Sequence, residues 1–266
     1  MNNEKLTATL IINPKDFLIP LEQALLEGSN AVFTGLASID NLIELPEFID
    51  GEDNFMSHKP YGVELTIDQR KTLYKDWLIK KGFEDLIKAA TMMLIDVCKM
   101  LKVKSKIMNT KTWGEFQELI TTPDYDISTK PFPELLQLIR PHLRENLTFE
   151  TEIISINRVR RCLVHRNGFV TPKDFFKDET SLKLCWVFYK IVYIEKGHEE
   201  EVKPMMLMSG DGEINIIQEK RTKEFKENER IEITYQLFNE LIMTCSLFGQ
   251  DLIEKIVIDE KNKNSL

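Results

Sequence analysis

The chain has 266 residues, 42% hydrophobic and 29% charged, which excludes a disordered polymer and leaves enough length to bury a core. Its formal net charge of -8 excludes a uniformly basic nucleic-acid binder, so any contact with phosphate must come from a local patch. No apolar run approaches the ~20 residues that span a bilayer, and the start Met1-Asn2-Asn3-Glu4-Lys5 has no secretory pattern, so a cytoplasmic protein without a membrane partner is expected.

Pro14 to Leu45 reads as helical, with apolar residues at Leu18, Leu21, Leu25 and Leu26. A breaker-rich loop follows over 46–62, with Phe48, Phe55 and Tyr61 expected to pin it to the body. Thr66 and Asp68 are suitable N-caps for a long helix to about Val103. Its apolar stripe takes in Leu73, Trp77, Leu78, Leu86, Ile87, Met93, Leu94, Val97 and Leu101, and Gly82 marks a break or kink. Short helices are expected over Trp113 to Ile120 and Phe132 to Ile139, each closed by a following proline.

The next helix starts at Thr148 or Thr151 and runs through Arg160 to about His165, where Asn167-Gly168 suits a left-handed stop. Beyond Pro172 the composition turns β-branched and aromatic. Strands are expected over 184–194, Met205 to Met208, Glu213 to Ile217 and Arg230 to Ile233, with a hairpin turn at Ser209-Gly210-Asp211-Gly212. A buried helix over 182–194 is the alternative. Tyr235 to Ile258 closes the fold as an amphipathic helix. The expected class is mainly α: a single domain over 1–266, helical over 14–166. A small β-element at about 182–233 is inserted before the closing helix at about 235–258, giving an α+β protein.

Cys98, Cys162, Cys185 and Cys245 lie far apart among apolar neighbours and read as buried, reduced thiols. No metal cage or cofactor motif is present, and no cofactor is expected. His58 has no partner in sequence. His142 belongs to a basic surface loop, and His198 opens an acidic hairpin tip that lacks the second histidine of a zincin.

Chemistry concentrates in one place. From Ile153 to Lys173 there is no Asp or Glu, while Arg158, Arg160, Arg161, Arg166 and Lys173 give a formal +5. Ile156, Val159 and Leu163 form the core stripe of this helix. Arg158, Arg161 and His165 share a second face. Arg160 stands roughly 140° from His165 at ~100° per residue, a separation that the last helical turn is expected to reduce. An imidazole moves protons at cellular pH, and a guanidinium stays charged and offers a planar fork to phosphate. RNA supplies its own nucleophile, the 2′-OH beside the scissile phosphate. The same residues also read as a solvated helix end, with His165 favouring the negative pole of the helix dipole.

Arg160-Arg161-Cys162-Leu163-Val164-His165-Arg166-Asn167-Gly168-Phe169-Val170 resembles the signature of the HEPN family (higher eukaryotes and prokaryotes nucleotide-binding). That signature is Arg, four to six residues, then His, at the end of a bundle helix. Arg160 matches the family arginine and His165 the family histidine. Arg158 also satisfies the spacing, and Arg161 stands where a polar residue, often Asn, is usual. The resemblance implies a helical bundle and a metal-independent endoribonuclease of the toxin–antitoxin, abortive-infection or other antiphage type. Its catalytic pair would be Arg160 and His165. Arg158, Arg161, Arg166 and Asn167 would contact RNA, and the site would form in a homodimer. An antitoxin or other defence-system partner is implied as well. In one toxin subgroup a Tyr follows the His by two residues; here Asn167 takes that place, so that subgroup is not supported. Members that have lost catalysis give the alternative, a helical RNA- or protein-binding module. A third expectation is a defence or regulatory subunit active only with a partner.

Overall fold

The computed structural model describes residues 13–41, 65–107, 110, 112–121, 125–195, 197–202 and 212–257. The fold is mostly helical, with a three-stranded antiparallel sheet before the C-terminal helix. The expected loop over 46–62, the strand over 205–208 and most of the turn over 209–212 lie outside the described residues.

A 3-10 turn at Pro14–Phe17 leads into α1 (Ile19–Asp40). Leu21, Leu25, Val32 and Ile39 face the core, whereas Leu26 is exposed. The helix expected to run to Leu45 ends at Asp40 as far as the described residues reach. α2 (Ile67–Ile107) is the spine. Thr66 opens it with a reciprocal cap: the Gln69 N–H donates to Thr66 Oγ1 (3.3 Å) and the Thr66 N–H to Gln69 Oε1 (3.0 Å). The expected break at Gly82 does not occur. Gly82 is buried where three helices meet, and a Cβ there would stand 2.6 Å from Val32 Cγ2 and 2.8 Å from Phe238 Cζ. Its bare backbone is required for close packing with α1 and α7.

Two residues of the expected α2 stripe are not core. Leu73 is 53% and Trp77 54% exposed. They lie beyond the arc of α2 that buries Ile79, Phe83, Leu86, Ile87 and Ala90.

α3 (Trp113–Thr121) and α4 (Tyr125–Ser128) follow. α5 (Phe132–Ile139) buries Phe132, Leu135, Leu136 and Ile139, an i, i+3, i+4, i+7 stripe against the spine. α6 (Glu150–His165) is capped by neither Thr148 nor Thr151. Thr148 is occupied elsewhere: its N–H and hydroxyl donate to the two oxygens of Asp251 at 2.7 and 2.9 Å, and Lys255 closes the cluster.

The sheet has the order β2-β1-β3, from β1 (Leu182–Glu195), β2 (His198–Glu201) and β3 (Glu213–Phe225). The segment over 182–194 is therefore strand, and His198 with its acidic neighbours forms an edge strand. β3 runs well past the expected end at Ile217, in register with β1 from Ile194↔Glu213 to Leu182↔Phe225. The expected strand over Arg230 to Ile233 reduces to an isolated bridge, Phe169↔Arg230, because its partner is a short stub after α6. α7 (Tyr235–Lys255) closes the fold, with Thr234 accepting the Leu237 N–H at 3.2 Å.

The second edge of β1 enters the helical layer. Ser155 Oγ on α6 accepts the Cys185 N–H (2.8 Å) and lies 3.1 Å from the Cys185 carbonyl oxygen. Two residues on, Thr244 Oγ1 of α7 accepts the Val187 N–H at 3.0 Å. Backbone groups on one strand edge repeat every second residue, so two hydroxyls replace a fourth strand there. Among the described residues no helix is long and apolar enough to cross a membrane.

Candidate nucleic-acid interface

α6 delivers every residue of the basic segment up to His165. Ile153, Ile156, Val159 and Cys162 are fully buried and fix the helix rotation against the core. The helix is regular to its end: the Arg166 N–H bonds the Cys162 carbonyl at 3.0 Å. Asn167 (φ 52°) and Gly168 (φ 82°) then reverse the chain in the left-handed region, as their sequence predicts. The Gly168 N–H returns to Cys162 O (3.2 Å), and Gly168 O accepts the Ile231 N–H at 2.8 Å.

That regularity keeps Arg160 and His165 apart. Five residues of ordinary helix place them ~140° from each other around the axis, and no distortion of the last turn reduces the angle. The shared pocket expected within one chain is not formed by α6 alone.

Arg160 is half-buried, and its Nε is buried without a hydrogen-bond partner among the described residues. Burial pushes its guanidinium below the ordinary value; Glu84 of α2 opposes the shift and Arg161 adds to it. Arg160 is therefore within electrostatic range of the spine. On the other face, Arg161 and His165 are exposed at i and i+4. Arg158, one turn earlier, lays its guanidinium over the Phe176 ring, 3.3 Å from the centroid. Burial, then Arg161, pushes Arg158 down, against the pull of Glu179 and Asp174.

Arg166 turns inward to an ion pair with Asp174, whose side chain is 4% exposed. The Asp174 carboxylate also accepts the Thr171 N–H (2.9 Å) and hydroxyl (3.0 Å). The segment that is free of carboxylates in sequence is thus not free of them in space: Asp174 and Glu84 meet it from the following loop and from α2. Arg161, His165 and Asn167 remain at the exposed surface. Sequence reasoning missed Asp174, Phe176 and Glu84, because each is brought in by the fold. Asp174 alone carried a local signal, the Thr171-Pro172-Lys173-Asp174 spacing of a capping turn.

Other histidines stay apart from this surface. His142 is exposed in a 3-10 turn and His198 lies on the exposed strand β2; His58 is outside the described residues. Three cysteines are buried, while Cys185, expected to be buried too, is partly exposed because its side chain lies on the sheet face opposite to that of Leu182 and Leu184.

Comparisons with protein-family models, with curated proteins and with solved structures find no match to this chain.

Proposed function

We propose that this chain binds RNA at the end of α6 and acts as a metal-independent endoribonuclease of HEPN type, with a role in toxin–antitoxin or antiphage defence. One observation carries it. An exposed imidazole, His165, shares a helix face with Arg161 and Arg158, while Arg160 on the neighbouring face holds a buried nitrogen without a partner. In the reaction the ribose 2′-oxygen attacks phosphorus. Its proton passes to a base, the P–O5′ bond breaks, and the departing 5′-oxygen takes up a proton. His165 is the group for proton transfer. An arginine holds the charge that develops on the phosphate oxygens.

The angle between Arg160 and His165 adds a condition. A site that uses both requires a second copy of the chain, whose Arg160 stands beside the first copy's His165; this fits the homodimer that the resemblance implies. If Arg161 serves in place of Arg160, one chain is sufficient. The same angle favours a second reading, a non-catalytic RNA-binding module, in which the arginines contact backbone phosphates and His165 is a bystander.

Incubation of the purified chain with mixed RNA in EDTA tests the first reading. Cleavage that is lost in His165→Ala and falls in Arg160→Ala or Arg161→Ala, with RNA binding retained, is the expected result. RNA that is bound but stays intact at every pH and protein concentration overturns the nuclease and leaves the binding module. Mixing His165→Ala with Arg160→Ala chains distinguishes a shared site, which regains activity in mixed dimers, from a site within one chain.

A further inference from the structure

On the exposed face of α2, Tyr74 and Trp77 stack on each other. Their ring centroids are 5.8 Å apart and their planes differ by 6°. Tyr74 is 51% and Trp77 54% exposed, so this flat π-surface is open to solvent. A large aromatic pair left in water is unusual enough to require a reason.

The pair stands next to the stub that follows α6, and contacts through Arg230 and Ile231 establish this. Arg230 donates to Asp76, the residue before Trp77, at 3.1 Å. Arg230 is also the bridge partner of Phe169, and the next residue, Ile231, bonds Gly168 just beyond α6. On the other side, Glu84 lies seven residues after Trp77, about 20° away around the helix and about 10 Å along it. Glu84 is the carboxylate in electrostatic reach of Arg160. The Arg230–Asp76 contact therefore ties the platform to the loop that follows α6. Arg70 stands one turn before Tyr74 on the same stripe, and Lys81, one turn after Trp77, is paired with Asp85 at 2.8 Å and Glu84 at 3.8 Å.

We infer that Tyr74 and Trp77 form a base-stacking platform, so that the RNA taken by α6 is single-stranded. The platform presupposes that the end of α6 meets RNA. The choice of strand follows from the chemistry. In a duplex the π-faces of the bases are already stacked on each other, and an A-form helix presents its backbone and 2′-hydroxyls instead. Only an unpaired base offers a face to an aromatic ring, and stacking tolerates any base. The exposed Arg70 on the stripe fits a phosphate of the chain that carries such a base.

The full-length chain carrying His165→Ala, so that RNA is not cut, is titrated into a fluorescein-labelled adenosine dodecamer RNA. The same strand annealed to its complement serves as the duplex probe. Anisotropy is expected to show tighter binding of the single strand. Trp77→Ala weakens single-strand binding about tenfold or more and duplex binding less than about twofold, from the usual contribution of base–aromatic stacking. Tyr74→Ala gives a smaller loss, and Trp77→Phe restores most of it. Because both rings are half exposed, unchanged thermal unfolding of each variant confirms that the fold is intact. Equal affinity for the two probes, or single-strand binding unaffected by Trp77→Ala, overturns the platform. Cleavage by the His165-intact chain is read in parallel. Cleavage that persists while Trp77→Ala binds normally overturns the platform alone. Absence of both binding and cleavage overturns the platform together with the function proposed for α6.

Discussion

Asp174 lies beneath the end of α6 and holds Arg166 in an ion pair, with only 4% of its side chain exposed. Because the carboxylate also accepts two hydrogen bonds from Thr171, it ties the helix end to the loop that follows. Removing one member of a buried pair leaves the other charge uncompensated. Asp174→Ala is therefore expected to destabilise the chain by about 2–4 kcal/mol, with Asp174→Asn less costly. Urea unfolding measures both. Arg166→Ala should likewise lower stability, and it should leave the salt dependence of RNA binding nearly unchanged, because its charge is already spent on Asp174. A large loss of RNA affinity at full stability would show that Arg166 reaches phosphate after all.

The hydroxyls that close the inner edge of β1 make a second expectation. Ser155→Ala strands the Cys185 N–H, and Thr244→Val strands the Val187 N–H, both inside the protein. An unmet buried donor costs about 1–3 kcal/mol. The two positions serve separate strand residues, so the losses should add to within a few tenths of a kcal/mol. Ser155→Thr is a poor rescue, since its extra methyl enters a packed site. Native-state amide exchange at Cys185 and Val187 should accelerate in the matching variant and not in the other.

How much of this was legible beforehand depended on whether the signal was local. Thr66 and the Asn167-Gly168 stop are legible because capping and left-handed geometry are decided by a few neighbouring residues. Phe132 to Ile139 was legible through its 3.6-residue stripe. Gly82 misled, because a glycine that admits close helix packing looks in sequence like one that breaks a helix. Trp77 misled for a related reason: an aromatic at helical spacing reads as core, and its position outside the buried arc is settled only by where α1 and α6 pack. The basic segment is free of carboxylates in sequence but not in space. Asp174 and Glu84, which temper it, arrive from the next loop and from the spine.

Thiol chemistry provides a test of burial. Burial pushes the Cys98 and Cys162 thiols up from the ordinary value of 9.0 to about 11, and pushes Cys245 up further. At pH 8 a disulfide reagent should therefore titrate Cys185 promptly and the other three only after denaturation. The stability effect has a definite sign. A folded-state value above the unfolded one means that the unfolded chain loses its proton first. The contribution is complete below about pH 9 and is lost as the pH rises from about 9 to about 11. The urea midpoint should fall across that window, and Cys162→Ala should make the fall shallower. Rapid modification of Cys162 at pH 8 in the native chain would contradict the burial.

Glu84 and Arg161 separate the roles of charge at the proposed interface. Arg161 is exposed, with no ion-pair partner among the described residues, so a phosphate bound there releases its counterions in full. Arg161→Ala should weaken RNA binding uniformly across sequences and reduce the slope of log affinity against log salt by about one. Glu84 works in the opposite direction. Its carboxylate acts on Arg160 and also lies 3.8 Å from Lys81, so it repels any phosphate brought to the same place. Glu84→Gln removes the repulsion while keeping the side-chain shape. Because the groups are partly exposed, the gain is that of a surface pair, about two- to fivefold in affinity, and greater at low salt than at high. If Glu84→Gln instead weakens binding, the carboxylate is orienting Arg160 toward the RNA, and the phosphate contact belongs to Arg160 itself. A neutral result at every salt concentration would place the RNA path away from this side of α6.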